Sequence, residues 1–205
     1  MRLHFSSDSQ RSQFFRTLRL VNDDLASYAS AAAPYCAINK QADNAVLRAK
    51  LNEHPSFWNC VLASLQTTAF VSLARLHDKA KNHNHLSRLI AILKKQTPEC
   101  VSAAESLERA IEQQRHFIEK VLRLRNELFA HTSFEAPLVA TFGFDGLGID
   151  DFATYWSAIL PALEACDLAI FGTTVHGPKV VPELFSSIEC KTLSALGQGE
   201  LPSEA

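Results

Sequence analysis

Apolar residues recur every three or four positions through most of residues 1–134, a stretch that contains no glycine. This spacing places apolar side chains along one face of an α-helix. Its three prolines, Pro34, Pro55 and Pro98, stand where one helix can end or the next can begin. The pattern therefore predicts an all-α protein, a bundle of five to six helices.

Polar capping residues and breaks in the apolar period set the expected helix boundaries. A serine at position 9 or 12 can cap the first helix, Ser56 the third, and an aspartate at 150 or 151 the last. The third helix carries a wide apolar arc, which predicts a central position in the bundle. The expected segments are 9–33, 38–53, 56–76, 86–95, 98–132 and 151–171.

The composition of the chain changes after the fifth segment. Residues 135–149 include three glycines among apolar residues, which predicts a turn-rich loop or a short hairpin inserted between helices. Residues 172–205 show mixed signals for secondary structure and have a polar end, which is typical of a partly disordered extension. We therefore expect one helical domain over residues 1–171 and a C-terminal extension over residues 172–205.

Composition narrows the class of protein. With 205 residues, 47% of them hydrophobic, the chain can bury a core, so disordered and collagen-like classes are excluded. Its five cysteines form no CxxC pair, as in reduced cytosolic proteins. The most apolar stretch, residues 60–74, is interrupted by polar residues and is shorter than a bilayer span. We expect a cytoplasmic protein without a membrane segment.

The net charge of -2 hides an asymmetry along the chain. Residues 1–134 carry 18 Lys and Arg against 12 Asp and Glu, whereas residues 135–205 carry 2 against 10. A basic region favours phosphate-containing partners, because phosphate contacts supply most nonspecific affinity for nucleic acids. The charge balance excludes a uniformly basic surface but is compatible with a local RNA-binding face.

One motif carries candidate chemistry, the run RLRNELFAHTS near the end of the fifth segment. In it Arg125 is followed directly by Asn126, and five residues separate Arg125 from His131. The motif resembles the signature of the HEPN superfamily, an Arg and a His with four to six residues between them, often with Asn, Asp or His directly after the Arg. The upstream run FWNCVLASLQTTAFVSLARLHD resembles the Trp-containing helix of its abortive-infection U branch (AbiU2-like), and the resemblance covers residues 57–133.

Two other stretches, 48–54 and 109–116, also satisfy the bare Arg and His spacing, as chance predicts for eleven Arg and eight His. Three features distinguish Arg125 from them: the adjacent Asn126, the position at the end of a helix, and the matching upstream helix. Along one straight helix Arg125 and His131 lie about 9 Å apart in rise, so the two side chains of one copy cannot converge tightly. Two copies related by a dyad can instead bring four such groups around one cleft.

The resemblance implies a function and roles for these residues. HEPN proteins are generally dimeric, metal-independent endoribonucleases of toxin-antitoxin and phage-defence systems, so RNA, a second copy and an antitoxin protein are the implied partners. No cofactor is implied. His131 would exchange protons with the ribose 2′-OH or the leaving oxygen, Arg125 would bind the phosphate, and Asn126 would orient one of them or the sugar.

Several further residues have supporting roles in this interpretation. Four basic side chains are candidate phosphate contacts: Arg123, Lys79, Lys81 and Arg88. Arg75 and Asp78 belong to an element that is more often structural than catalytic, so we expect them to support the fold. Position 133 is Ser, where HEPN toxins paired with a nucleotidyltransferase often carry Tyr, so silencing by adenylylation of that position is in doubt.

The same residues also allow structural interpretations. Arg125 can form an ion pair with an acid on a neighbouring helix, Asp78 being the first candidate, and His131 can cap the helix end. The chain would then be a non-catalytic HEPN-like interaction module. A third alternative is a metal-binding bundle built on His77, His83 and His85, although histidines in such a polar run are usually solvated. We expect no bound metal.

Overall fold

The structure is a computed structural model that describes residues 3–78, 85–130, 149–172 and 191–192. In the first three ranges every regular element is an α-helix, as the apolar spacing predicts. The predicted loop or hairpin, and nearly all of the extension, lie outside the described residues. The helices are α1 (Asp8–Lys40), α2 (Ala45–Glu53), α3 (Pro55–His77), α4 (His85–Leu93), α5 (Pro98–Gln113), α6 (Arg115–Ala130) and α7 (Ile149–Phe171).

Helix α1 begins earlier and ends later than the sequence predicts. Ser7, rather than a later serine, caps it by accepting the backbone N–H of Gln10, and the Gln10 side chain accepts the N–H of Ser6. This reciprocal arrangement satisfies two N–H groups at the helix start. The helix continues through Pro34 to Lys40, because buried residues on both sides of the proline hold it against the core.

Helix α3 begins at Pro55, one residue before the expected cap at Ser56. A proline suits the first helical position, because its missing N–H would have no partner within the helix there. His54 occupies the cap position without a side-chain hydrogen bond. Residues 55 and 56 are therefore both inside the helix.

The long segment predicted over residues 98–132 is two helices. Gln114 ends α5, and its N–H bonds back to the carbonyls of Ala110 and Ile111. Helix α6 starts at the next residue. The break lets the two halves pack differently, with α5 mainly against α7 and α6 mainly against α3. One straight helix cannot follow both neighbours, and this division raises the helix number to seven in the described ranges.

Aromatic side chains fill the place where α1, α3, α6 and α7 meet. Tyr28 of α1 is fully buried, and its hydroxyl donates to the carbonyl of Phe152 at 3.0 Å. Because the donor and the acceptor lie on α1 and α7, the bond ties the two helices together. The buried aromatic residues of this cluster are Phe14, Tyr28, Phe70, Phe117, Phe152, Tyr155 and Trp156.

The two halves of α3 differ in burial, which corrects the expectation that the whole helix is central. Residues 69–77 are mostly buried, whereas no residue in 55–68 is. By length and composition α3 is the one described helix that could cross a membrane. The apolar stretch is therefore long enough for a bilayer span, contrary to the expectation from the sequence. Its second half packs into the bundle core, as in the core helix of a globular protein.

Candidate functional site

Arg125 on α6 forms an ion pair with Asp78, the residue that ends α3. Its Nη2 donates to Asp78 Oδ2 at 2.9 Å, and the two side chains are 28% and 18% exposed. The Asp78 backbone N–H in turn bonds to the carbonyl of Ala74 and closes the last turn of α3. The structure therefore contains the ion pair with Asp78 that the structural interpretation of Arg125 predicts.

The ion pair uses only part of the hydrogen-bonding capacity of Arg125. A guanidinium has five N–H donors. Its Nε is buried and has no partner among the described residues. Val121, one turn earlier on α6, is buried, whereas the adjacent Asn126 and Arg123 are exposed. Arg125 therefore lies at the boundary between the packed face of α6 and solvent, with donor capacity left over.

Only some of the other predicted site residues lie in the described part of the chain. Helix α6 ends at Ala130, and three predicted site residues lie outside the described residues: His131, Lys79 and Lys81. Arg88 is exposed on α4. Arg125 and Asp78 are thus the predicted site residues that the structure brings into contact.

His77, next to Asp78, is bonded to α7. Its Nε2 lies 2.6 Å from the hydroxyl oxygen of Tyr155, and both side chains are buried. Burial lowers the pKa of His77 to about 4 and raises the pKa of Tyr155, so both groups are neutral at pH 7. The bond joins the end of α3 to α7 one residue before the Arg125 contact.

Arg75 and His85 share a buried carboxylate on α1. Asp24 Oδ2 accepts from His85 Nδ1 at 2.7 Å, and the two side chains are 6% and 7% exposed. The other oxygen, Oδ1, lies 3.5 Å from Nη1 of the more exposed Arg75. A buried carboxylate needs such partners, because leaving water without them costs several kcal/mol. Asp24 therefore links α1 to both α3 and α4.

These contacts correct the expectation that the histidines of the polar run are solvated. His77 and His85 are both buried, and each has a side-chain partner within the bundle. Among the described residues there is no group of three or more His, Cys, Asp or Glu that could hold a metal ion. His83 lies outside the described residues.

Sequence reasoning missed Asp24 and Tyr155, and it named His85 only as a possible metal ligand. A signal for Asp24 was available, because it stands between Val21 and Tyr28 on the apolar face of α1. A carboxylate on that face must find a partner when the helix packs. The identity of the partner was not available, because the relative rotation of α1, α3 and α4 is set by packing between segments distant in the sequence.

Comparison with known proteins gives one family. The AbiU2 family of HEPN domains matches residues 17–176, a range that includes all seven helices except the first turns of α1. No curated protein and no solved structure gives a significant match to the chain. The match covers Asp24, Arg75, Asp78, Arg125, Asn126 and His131.

Proposed function

The chain belongs to the AbiU2 family of HEPN domains, a module related to abortive infection, and from this premise we propose that it is a metal-independent endoribonuclease. Its setting would be a toxin-antitoxin or phage-defence system. The residues that act on RNA would be Arg125, Asn126 and His131, at the end of α6 and directly after it.

The observation that supports the proposal best is the incomplete pairing of Arg125. A purely structural arginine at a packed boundary usually has its donors satisfied. Here Asp78 accepts from Nη2, while the Nε–H has no acceptor in the described part of the chain. Phosphate oxygens are strong acceptors for a guanidinium and bind it in a planar, bidentate geometry. Because the Nε–H is buried, a phosphodiester would bind the N–H groups on the exposed part of the Arg125 guanidinium that Asp78 leaves unused, while Asp78 fixes their orientation.

The proposed reaction uses a nucleophile that RNA itself carries. The ribose 2′-oxygen attacks the adjacent phosphorus, the P–O2′ bond forms, and the P–O5′ bond breaks. A base removes the 2′-OH proton and an acid gives a proton to the leaving 5′-oxygen, so the products are a 2′,3′-cyclic phosphate and a 5′-OH. An imidazole with a pKa near its ordinary value of about 6.5 can serve in either role. Arg125 stabilises the charge that builds on the phosphate.

Each chain contributes one His131, whereas the reaction needs a base and an acid. Two copies that share a cleft would supply both imidazoles, which is the reason to propose that the active form contains a second copy. The exposed Asn126 and Arg123 on the last turns of α6 would lie at the edge of that cleft. Their positions are compatible with contacts to the sugar and to flanking phosphates.

The proposal is tested by incubating the purified protein with RNA in EDTA and identifying the product ends. The expected result is cleavage that leaves 2′,3′-cyclic phosphate termini. Loss of cleavage in EDTA with recovery in Mg²⁺, or products with 5′-phosphate ends, contradicts the mechanism. An Asn126→Ala variant tests the same site, and its exposed position makes a folding defect an unconvincing explanation of any loss.

The Arg125 and Asp78 contact itself favours a second candidate, a non-catalytic HEPN module that binds a partner. In that case the ion pair is structural, and its role is to join α3 and α6. Such a protein would bind RNA or protein without cleaving either. The two candidates differ in turnover, so the absence of cleavage together with retained RNA binding would favour the second.

A further inference from the structure

Arg75 on α3 is an exposed arginine whose ion-pair partner is a buried carboxylate. Its side chain is 57% exposed, while that of Asp24 on α1 is 6% exposed. The contact joins Arg75 Nη1 to Asp24 Oδ1 at 3.5 Å, and within the described ranges it is the one ion pair of Arg75. A guanidinium has five N–H donors. Most of the donors of Arg75 are therefore not used by this contact.

The Asp24 carboxylate has a closer partner than Arg75. Its Oδ2 accepts from Nδ1 of the buried His85 at 2.7 Å. A short hydrogen bond to a carboxylate is stronger than an ion pair at 3.5 Å, so His85 satisfies Asp24 more fully than Arg75 does. The contact with Arg75 adds less to the stability of the fold, and it restricts where the exposed guanidinium can lie.

Other exposed arginines of the chain are held differently. Arg19 pairs with Asp23 and Arg115 with Glu119, in each case with an exposed acid one turn away on the same helix. Such pairs restrain the side chains weakly, because both partners remain mobile in water. The partner of Arg75 is buried and lies on another helix. The guanidinium of Arg75 is therefore oriented before any anion binds, which lowers the entropy lost on binding.

The position of Arg75 relates it to the proposed RNA site. Arg75 lies three residues before Asp78 on α3, so their Cβ atoms are about 5–6 Å apart. Asp78 holds Arg125 of α6 at 2.9 Å. Two guanidinium groups thus flank the end of α3, with Arg75 on the side of α1 and Arg125 on the side of α6.

We propose that Arg75 binds a second phosphate of the RNA strand whose scissile phosphate lies at Arg125. Asp24 and His85 are then positioning residues, because they act on the RNA only through Arg75. Phosphate oxygens accept two N–H bonds from one guanidinium, and such contacts fix the position of a strand without reading its sequence. The inference rests on the proposed function, since it extends the same RNA site.

The charges around Asp24 are compatible with a bound phosphate. Asp24 itself is buried and paired, and Asp23, the exposed acid beside it, is paired with Arg19. Arg88 is exposed on α4 one turn after His85, and it adds positive charge near Asp24. A phosphate at Arg75 therefore meets acids that already have cationic partners.

The first test measures binding of the full chain to a fluorescein-labelled 2′-O-methyl decanucleotide, which has no free 2′-OH and cannot be cleaved by the proposed reaction. Arg75→Gln should lower the affinity about fivefold and reduce the slope of log affinity against log salt by about 0.7, the value for one phosphate contact on a single strand. Arg75→Lys keeps the cation, so it should keep the wild-type slope.

Arg115→Gln is the matched control, because Arg115 is 63% exposed, is also ion-paired and loses the same charge. It should leave the affinity and the slope close to the wild-type values. Equal affinity and slope in Arg75→Gln and the wild type overturn the proposal. An equal loss in Arg115→Gln, or no binding by the wild type, also overturns it.

Cleavage kinetics distinguish this inference from the proposed function. With the unmodified decanucleotide, Arg75→Gln should raise KM about fivefold and leave kcat unchanged, as for a contact made equally in the ground state and the transition state. With the dinucleotide UpA, which contains one phosphate, neither constant should change. A fall in kcat on both substrates overturns the inference. If the wild type cleaves neither substrate and Arg75→Gln still weakens binding of the methylated RNA, the nuclease proposal fails and this inference stands.

Discussion

Asp78 and Arg125 are joined at 2.9 Å where the end of α3 meets α6, and each is partly exposed. Three side chains within four residues of this helix end reach three different helices, because Arg75 contacts α1, His77 contacts α7 and Asp78 contacts α6. The position of Arg125 is therefore fixed by the bundle as a whole. Asp78 orients the guanidinium, and in the proposed RNA site it would compete with a phosphate for it.

Replacing Asp78 by Asn should strengthen RNA binding while weakening the fold. Loss of the carboxylate charge removes the competitor for Arg125, and we expect affinity for a short RNA to rise about fivefold, equivalent to about 1 kcal/mol. The free energy of unfolding should fall by about 1 kcal/mol, as for a partly exposed ion pair. Fluorescence anisotropy and urea unfolding measure the two effects.

Glu108→Gln is the control for the change in net charge. Glu108 of α5 pairs with Lys94, the residue directly after α4, and does not contact Arg125. Its substitution removes the same charge elsewhere, so it should raise RNA affinity much less than Asp78→Asn does. Equal gains in the two variants would show that Asp78 acts only through the total charge.

Neighbouring aspartates on α1 should respond very differently to substitution by alanine. Asp24→Ala removes the shared partner of His85 and Arg75 and leaves a buried imidazole without its acceptor, so we expect a loss of about 3 kcal/mol in unfolding free energy. Asp23 forms an exposed pair with Arg19, and Asp23→Ala should change stability little. Similar melting temperatures for both variants would contradict the structural role of Asp24.

The buried His77 predicts lower stability in acid. Its pKa is lowered to about 4 in the folded chain from an ordinary value of 6.5, so the unfolded chain binds the proton first as pH falls. Its contribution is fully present above pH 6.5 and is lost progressively between pH 6.5 and pH 4, by about 3 kcal/mol in total. Urea unfolding at pH 7 and pH 5 measures this difference.

A His77→Gln variant isolates that contribution, because Gln can hydrogen-bond Tyr155 but does not titrate. We expect a smaller stability difference between pH 7 and pH 5 in the variant than in the wild type. His116→Gln is the control, since His116 is exposed on α6. If His77→Gln keeps the full pH dependence of the wild type, His77 is not its source.

Arg125→Lys separates a phosphate-binding role from a structural one. Lysine keeps the positive charge and can still pair with Asp78, so stability should change little. It lacks the planar fork that binds phosphate through two N–H groups, and RNA cleavage should fall at least tenfold. Arg115→Lys on the same helix, where Arg115 pairs with Glu112 and Glu119, should leave cleavage unchanged. Full activity in Arg125→Lys would argue against phosphate binding.

The contact between Arg125 and Asp78 could be anticipated from the sequence, because each stands near the end of an apolar helix that the bundle must pack. Burial of Phe14, Val21 and Leu25 also follows from their spacing on α1. Local periodicity determines which face of a helix is buried. It is sufficient for predicting helices and much of the core.

The break at Gln114 and the network around Asp24 could not be predicted in this way. The apolar period continues across Gln114, and the reason for the break is that α5 and α6 pack against different helices. Likewise, Asp24 and His85 are 61 positions apart, and only the packed bundle brings them within 2.7 Å. Both features depend on contacts between distant segments, which the local pattern does not contain.

The proposed role of His131 in RNA cleavage is tested most directly by comparing His131→Ala with His116→Ala. His116 also satisfies the bare Arg and His spacing, with Arg109 as its arginine, but His116 lies exposed at the start of α6. With one RNA substrate in EDTA, we predict that His131→Ala lowers the cleavage rate at least a hundredfold and that His116→Ala retains wild-type activity. Equal cleavage by His131→Ala and the wild type, or cleavage by neither, would contradict the account.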